Sequence, residues 1–288
     1  MTTRVAVRAQ AKLNLWLHVM AREDNGYHTI ETLFHRIELA DDVVVTLAPQ
    51  GERSISCSED VGPAHENLAY RAALAYCGPL EWTTGFRIDI TKRIPAGGGL
   101  GGGSADAAAT LLALNEMSPR KLTTAELAAL GSRLGADVTF LVTGALRALA
   151  WGRGDRMLAL PPLPQRHVAL VIPSFGISTA EAYAPPLLRD PRPGQVTMGD
   201  LADWAAVSRL AHNDLSRSLV ALGYPLLREV TKTLRAAGAT IAEMTGSGSV
   251  LFGIFDAEPD AGALARATGC RVVLTRTALN VEGVRRLD

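Results

Sequence analysis

The chain has 288 residues, of which 48% are hydrophobic, and its 29 Lys and Arg residues balance its 29 Asp and Glu residues. A chain of this length and apolar content can bury the cores of two ordinary domains, and its zero net charge without a basic run argues against nucleic acid as a partner. Three isolated cysteines favour neither a disulfide framework nor a zinc site, and no apolar stretch reaches the roughly 18 residues of a membrane span, so we expect a cytoplasmic protein that contacts no membrane.

The first predicted element is a β-strand over residues 5–19, where apolar and polar residues alternate with a period of two. Its polar face carries Lys12 and Asn14, which therefore point the same way. Asn25-Gly26 is typical of a type I′ hairpin turn. Strand-like patterning then resumes over residues 30–39 and 43–47.

Helical and strand patterns alternate through the next part of the chain. Alanine and leucine content predicts a helix over residues 67–76, and the alternation at residues 86–90 predicts a strand. An alanine-rich stretch at residues 104–115 predicts a helix that packs closely. A capping box formed by Thr123 and Glu126 predicts a further helix over residues 124–134.

The strand at residues 86–90 leads into a run with six glycines in seven positions, residues 97–103. Glycine loses the most backbone entropy on folding, so such a run indicates special dihedral angles or the close approach of a ligand. The run precedes a helix, whose free N–H groups and positive dipole end attract phosphate. A Walker A loop is excluded because Gly103 stands where that motif needs Lys, and a dinucleotide fingerprint lacks the second strand ending in an acid. The run is predicted to bind an anion.

The sequence Pro161-Pro162-Leu163-Pro164 is the best candidate for a linker, since consecutive prolines end regular elements. We place the domain boundary there, between residues 1–160 and 161–288.

Strands followed by helices without strict alternation predict an α+β fold. In the second part, strands at 167–172, 249–255 and 270–277 and helices at 226–237 and 257–268 are compatible with a ferredoxin-like split βαβ arrangement. Residues 185–207 remain unassigned.

Residues 95–104, Pro-Ala-Gly-Gly-Gly-Leu-Gly-Gly-Gly-Ser, resemble the phosphate loop of the superfamily of galactokinase, homoserine kinase, mevalonate kinase and phosphomevalonate kinase. Stretches at residues 11–18, 26–34, 135–138 and 246–249 resemble one kinase family of that superfamily and occur in the right order. The resemblance implies a two-domain α+β kinase, with a mixed-sheet N-terminal domain that carries the phosphate loop and a ferredoxin-like C-terminal domain. It also implies ATP and Mg²⁺ as cofactors, and an acceptor alcohol that carries a cytidine diphosphate group in the non-mevalonate isoprenoid route.

The resemblance implies roles for two catalytic residues, Asp137 as the general base and Lys12 as its cationic partner. Without it, Asp137 fits a simple helix cap after Gly135, and Lys12 fits a solvated surface charge. The same comparison implies two binding sets. For ATP they are Pro95, Ala96, Gly97, Gly98, Gly99, Leu100, Gly101, Gly102, Gly103, Ser104, Asn67, Leu68 and Lys92, and for the acceptor Asn14, Tyr27, His28, Thr179 and Tyr183. No side-chain metal site is predicted, although the Ser104 hydroxyl is available to phosphate or Mg²⁺.

Two alternative functions remain open at this point. A sibling kinase acting on homoserine or a mevalonate-type substrate would have no use for Tyr27 and His28, and a catalytically silent nucleotide sensor would not need Asp137. The sequence also departs from the family pattern, because the stretch Asp24-Asn25-Gly26-Tyr27-His28 is one residue longer than the usual Asp-Gly-Tyr-His. This departure leaves the placement of the preceding loop open.

Overall fold

The first sheet is built on one long antiparallel pair, β1 (Arg4–Arg22) and β2 (His28–Ala48), whose register runs from Arg4 opposite Thr46 to Arg22 opposite His28. The computed structural model describes residues 3–24, 28–184 and 196–288. The predicted turn at Asn25-Gly26, together with Tyr27 and residues 185–195 of the unassigned segment, lies outside these residues.

The two stretches of strand-like patterning, residues 30–39 and 43–47, belong to one continuous strand, β2, which also includes residues 40–42. Asp41 is fully buried in this stretch, and its carboxylate accepts hydrogen bonds from the backbone amides of Arg93 and Ile94. A buried carboxylate with such partners is tolerated inside a strand.

The remaining elements of the first half confirm the predicted strand at 86–90 and the helices at 67–76, 104–115 and 124–134 to within two residues. The capping box of Thr123 and Glu126 is present. The elements are β3 (Arg53–Cys57), α1 (Leu68–Cys77), β4 (Gly85–Thr91), α2 (Gly102–Met117), α3 (Thr124–Leu134), α4 (Ala136–Leu141), β5 (Arg147–Gly152) and β6 (Arg156–Leu160).

The second half begins a separate sheet and adds most of the short helices. Its elements are β7 (His167–Ile172), α5 (Thr179–Tyr183), a 3₁₀ turn (Met198–Leu201), α6 (Trp204–Leu210), β8 (His212–Asn213), α7 (Asp214–Ala221), α8 (Pro225–Ala236), β9 (Ile241–Met244), β10 (Leu251–Phe255), α9 (Ala261–Thr268), β11 (Arg271–Arg276) and β12 (Val284–Arg286). No helix among the described residues is long and apolar enough to cross a bilayer.

The second sheet has the strand order β11-β7-β10-β9, and every neighbouring pair is antiparallel. This is the ferredoxin-like arrangement expected from the sequence, and it confirms the α+β fold class. The first sheet has the order β12-β1-β2-β4-β3, with β5 and β8 pairing to β2 and β1. Two strands from the second half, β8 and β12, therefore belong to the first sheet, and the boundary at residues 160 and 161 stays a prediction.

Two hydrophobic clusters hold the layers together. The larger includes Leu13, Phe34 and Leu111 and packs α1 and α2 against the first sheet, while the smaller includes Leu227 and Leu251 and packs α8 against the second. The face of β1 that carries Lys12 and Asn14 is covered, so that both residues are about 2% exposed. Polar side chains buried in this way need partners, and those partners form the site described next.

Candidate active site

A cavity of about 890 Å³ opens between the two sheets. Residues from β1, from the glycine-rich loop and from the start of α4 line one part of it, and residues of α5 and the turn at 246–247 line another. The cavity brings together nearly all the described residues predicted for the two binding sets and for catalysis, namely Lys12, Asn14, Asn67, Leu68, Lys92, every residue of 95–104, Asp137, Thr179 and Tyr183.

The loop at residues 95–104 connects β4 to α2 and presents bare backbone to the cavity. Gly97, Gly99 and Gly101 have φ values of +66°, +75° and +72°, a region that favours glycine. Gly101 is the N-cap of α2, and no side chain caps the helix. The amide groups of the first turn are thus free of a side-chain partner, which is the arrangement that binds phosphate at a helix N-terminus.

Close packing fixes this loop between the two sheets. A Cβ atom on Gly99 would overlap the carbonyl oxygen of Thr245. The backbone amide of Lys12 donates to the carbonyl of Leu100 (3.0 Å), and the amide of Val250 donates to the carbonyl of Gly98 (3.3 Å). The loop is therefore held from β1 on one side and from the segment before β10 on the other.

Lys12 and Asp137 meet beside the loop, with 3.2 Å between Nζ of the lysine and Oδ2 of the aspartate. Nζ also donates to Oδ1 of Asn14 (2.7 Å), which confirms that these two residues share a face of β1. The lysine side chain is 3% exposed and the aspartate side chain 28%, so the carboxylate is open to the cavity. The interpretation of Asp137 as a helix cap was wrong, because Gly135 is the N-cap of α4 and no side chain caps it.

A chain of hydrogen bonds holds Asn14 in place. Its Nδ2 atom donates to Oγ1 of Thr32 (2.8 Å), and that hydroxyl donates to the carbonyl of Trp16 (2.6 Å). The backbone amide of Asn14 donates to Oγ1 of Thr245 (3.1 Å), whose hydroxyl lies 3.2 Å from the carbonyl of Gly99. The lysine, its amide partner and the glycine loop thus form one connected network.

Lys92 lies in the cavity wall, but its side chain is only 4% exposed and lies between two carboxylates. It forms an ion pair with Asp41 and another with Asp106, at 2.7 Å in the second case. Burial raises the pKa of Asp106 to about 7, against the opposing effect of Lys92, and the two carboxylates raise the pKa of Lys92 although burial lowers it. The lysine is thus a buried support beneath the loop, and neither of its two carboxylate partners was predicted from the sequence.

Three of the residues predicted to bind the acceptor substrate, His28, Thr179 and Tyr183, lie on α5 or against it. The rings of His28 and Tyr183 lie 5.0 Å apart between centroids and are inclined by 34°. Burial raises the pKa of Tyr183 to about 12, so its hydroxyl stays protonated. Oγ1 of Thr179 lies 3.2 Å from Oγ of Ser247, which ties α5 to the turn at 246–249. Tyr27 lies outside the described residues.

Sequence reasoning missed Asn213, which supports the same turn. Its Nδ2 atom donates to the carbonyls of Met244 (2.7 Å) and Gly246 (2.9 Å), while its Oδ1 atom accepts from the amide of Leu215 and caps α7. An Asn before a helix predicts the cap. Nothing in the local sequence predicts the other two contacts.

A second, smaller cavity of about 390 Å³ was also not predicted. It is lined mainly by residues between 55 and 62, and it shares Asn67 with the main cavity.

Comparison with family profiles gives two matches. The profile described as GHMP kinases N terminal domain matches residues 67–145, and the one described as GHMP kinases C terminal matches residues 197–272. The first match contains the glycine-rich loop and Asp137, and the second contains α8 and the strands β9 and β10 of the ferredoxin-like sheet.

Relatives resemble the chain over most of its length. A 4-diphosphocytidyl-2-C-methyl-D-erythritol kinase from Moorella thermoacetica is 39% identical over 85% of this chain and 88% of the relative. One of the same name from Citrifermentans bemidjiense is 36% identical over 95% and 99%.

Solved structures agree with these relatives. A crystal structure of 4-(cytidine 5'-diphospho)-2C-methyl-D-erythritol kinase superposes with a TM-score of 0.77 at 36% identity, covering 94% of this chain and 98% of that one. Homoserine kinase from Cytophaga hutchinsonii gives a TM-score of 0.73 at 18% identity, covering 99% and 98%. At that identity the second likeness shows the fold alone.

Proposed function

Because the chain belongs to the GHMP kinases, and among them to the 4-diphosphocytidyl-2-C-methyl-D-erythritol kinase family, we propose that it phosphorylates the 2-hydroxyl group of that compound with ATP. The product is an intermediate of the non-mevalonate route to isoprenoid precursors. The observation that carries the proposal is one cavity in which a bare-amide loop lies against the Lys12–Asp137 pair.

For ATP, we propose that the amides of residues 97–104 bind the phosphates. Phosphoryl transfer depends on positioning and on stabilising charge at the γ-phosphate, and a rigid set of N–H donors supplies both. Asn67 and Leu68 line the cavity at the start of α1, where the smaller cavity adjoins it, and we place the adenine end there. We propose that Lys92 lies near the nucleotide, beneath the loop, where it forms ion pairs with Asp41 and Asp106.

We propose that Mg²⁺ accompanies ATP. Mg²⁺ prefers oxygen ligands and is usually bound by substrate phosphates, waters and one or two protein groups. The cavity offers the Ser104 hydroxyl and the carboxylate of Asp106, whose buried Oδ1 atom has no hydrogen-bond partner. These residues fit the ion. When bound, it neutralises negative charge on the transferring phosphoryl group.

In the proposed mechanism, Asp137 accepts the proton of the attacking hydroxyl. Its carboxylate is exposed to the cavity, and its Oδ2 atom lies 3.3 Å from the position of a Cβ atom on Gly101, directly beside the loop. Lys12 orients the carboxylate and offsets negative charge as the hydroxyl loses its proton. Asn14 fixes the direction of the ammonium group.

We propose that the cytosine group binds at Tyr183 and His28, together with Tyr27. An aromatic plane stacks on a base, and an imidazole exchanges hydrogen bonds with the base edge. Asn14 and Thr179 also line the cavity, and we propose that they contact the remainder of the acceptor. We also propose a cytoplasmic location and the division of the chain at residues 160 and 161.

An acceptor panel tests the function. The purified chain with Mg²⁺ and ATP should release ADP with 4-diphosphocytidyl-2-C-methyl-D-erythritol and not with homoserine or mevalonate. CDP should compete with the acceptor, since it carries the cytidine diphosphate group. Turnover of homoserine or mevalonate without competition by CDP would assign the chain to a sibling activity, and ATP binding without turnover of any acceptor would indicate a sensor.

A further inference from the structure

Helix α4 carries Asp137 in its first turn, and a buried arginine of β2 holds its other end. The guanidinium of Arg36 donates from Nη2 to the carbonyls of Leu141 and Thr143, each at 2.9 Å, and from Nε to the carbonyl of Ala145, also at 2.9 Å. A longer contact of 3.4 Å reaches the carbonyl of Phe140. Arg36 is 3% exposed, so these bonds form away from water.

The carbonyls of Thr143 and Ala145 lie just after α4, whereas those of Phe140 and Leu141 belong to its last turn, where a helix leaves carbonyl groups without intrahelical partners. Those groups carry the negative end of the helix dipole, and a cation there is stabilising. Burial lowers the pKa of Arg36 to about 10, so the guanidinium remains charged at neutral pH. Among the described residues no carboxylate forms an ion pair with it, and its side-chain hydrogen bonds go to backbone carbonyls.

Aromatic rings connect this arginine to the catalytic lysine. The guanidinium of Arg36 lies 5.1 Å from the ring centroid of Phe140, and that ring stacks on Phe34 at 5.0 Å and 18°. On the far side, Nζ of Lys12 lies 5.6 Å from the centroid of Phe34. Four side chains thus form a continuous stack in the order Lys12, Phe34, Phe140, Arg36.

Helix α4 is therefore attached to the sheet at two points. Asp137 contacts Lys12 of β1 at one end, and Phe140 and the following carbonyls contact Phe34 and Arg36 of β2 at the other. The two attachments are one helical turn apart. A short helix fixed at both ends cannot rotate about its axis without breaking one of them.

We propose that Arg36 is a positioning residue for the phosphoryl-transfer reaction, which holds α4 against β2 so that the Asp137 carboxylate stays beside Lys12 and the glycine loop. This inference rests on the role proposed above for Asp137. A displacement of about 1 Å at a reacting group can lower a rate by about 100-fold. Loss of the arginine should therefore reduce kcat more than it reduces the affinity for either substrate.

Arg147 provides a matched control. It lies opposite Arg36's neighbour His35 in the β2–β5 pair, is 1% exposed, and donates from Nη2 to the carbonyl of Leu201 (2.8 Å) in the 3₁₀ turn. Burial lowers its pKa to about 10 as well. Arg147 is thus an equally buried arginine on a backbone carbonyl, but its partner is not on α4.

The test compares Arg36→Met with Arg147→Met. Both variants should unfold at lower temperature than the wild type. Only Arg36→Met should lose kcat, by about tenfold or more, with the KM values for ATP and acceptor within about twofold of the wild type. Arg36→Lys keeps the charge without the planar fork and should recover part of the loss. Equal kcat values for the two methionine variants would overturn the proposal.

Hydrogen exchange gives a readout that does not depend on turnover. The amides of residues 138–141 should exchange faster in Arg36→Met than in the wild type and Arg147→Met. Unchanged exchange there would also overturn the proposal. If Arg36→Met does not fold, Phe140→Leu removes the ring of the stack and should show the same kcat loss and faster exchange. If the wild type fails to phosphorylate the acceptor, the proposed function falls, while the exchange data still decide whether Arg36 holds α4.

Discussion

Nζ of Lys12 lies 3.2 Å from Oδ2 of Asp137, although one residue is in the first strand and the other begins the fourth helix. Gly101 of the glycine-rich loop lies directly beside this pair. A Cβ atom at this glycine would lie 3.0 Å from Cε of the lysine and 3.3 Å from Oδ2 of the aspartate. The charge pair and the phosphate loop are thus in direct contact.

Replacing Asp137 by Asn should remove turnover and keep nucleotide binding. Asn is close to Asp in shape but cannot accept the proton of the attacking hydroxyl, and general-base catalysis is worth about 10²- to 10⁴-fold. We expect kcat to fall by that range while a non-hydrolysable ATP analogue binds with similar affinity in calorimetry. Asp155→Asn, at an exposed aspartate outside the cavity, serves as the control. A kcat within threefold of the wild type would remove the base assignment.

Replacing Gly99 by Ala should damage the fold and the nucleotide site far more than replacing Gly97. Both glycines have positive φ, of +75° and +66°, so alanine carries a similar backbone strain of about 1–2 kcal/mol at each. At Gly99 the new Cβ atom would also overlap the carbonyl oxygen of Thr245, whereas at Gly97 nothing lies within 4 Å. Thermal unfolding and the binding of an ATP analogue should be measured on both alanine variants, since they share the backbone strain and differ in the overlap. Equal losses of stability and of binding in the two variants would contradict the packing argument.

The sequence predicted the loop, the helices around it and the common face of Lys12 and Asn14, because each depends on local pattern. Glycine density, the capping box of α3 and the period of β1 act over a few residues. The continuity of β2 through Asp41 was not predictable in this way, since the partners of that carboxylate are amides near Lys92. The alternating pattern is interrupted between residues 39 and 43, and only tertiary contacts of Asp41 show that the strand continues through them.

The residues that line the site were predictable from the sequence, but the residues that hold its elements in place were not. Resemblance supplied Asp137 and Tyr183, and the structure brought both into one cavity. Asn213 and Arg36, which support the elements around the site, act through long-range hydrogen bonds to several backbone carbonyls. Their residue types fit many roles on a helix cap or a strand, so only the fold reveals which carbonyls they meet.

Replacing Tyr183 by Ala should weaken binding of the acceptor selectively. Stacking of a base on an aromatic ring contributes about 1–3 kcal/mol, which corresponds to a KM higher by about fivefold to 150-fold. The KM for ATP should change little, because the proposed nucleotide site consists of the glycine-rich loop, Asn67 and Leu68 and does not include Tyr183. Tyr183→Phe keeps the ring and should have nearly the wild-type KM. A large effect of the phenylalanine variant would show that the hydroxyl, rather than stacking, recognises the acceptor.

Replacing Asp214 by Asn should destabilise the protein most at neutral pH. Burial raises the pKa of this carboxylate, but hydrogen bonds from His18 (3.3 Å), His212 (2.6 Å) and the amide of Val19 (2.9 Å) outweigh it and lower the pKa. A carboxylate with a lowered folded-state pKa contributes stability that is present above its unfolded value of 3.8 and is lost as the pH falls below it. In urea unfolding, the variant should be less stable than the wild type at pH 7 and approach it below about pH 4.

Glu243 should show the opposite dependence on pH. Burial raises its pKa to about 7, against the opposing effect of Arg235 (3.1 Å) and Arg217. A raised folded-state pKa means that the native protein binds a proton that the unfolded chain releases near 4.5, so stability falls as the pH rises from there through 7. Glu243→Gln removes this dependence and should gain stability relative to the wild type as the pH increases, at most about 1.4 kcal/mol per pH unit. If instead the difference between Glu243→Gln and wild type is constant from pH 5 to 8, the carboxyl group of Glu243 does not titrate in that range.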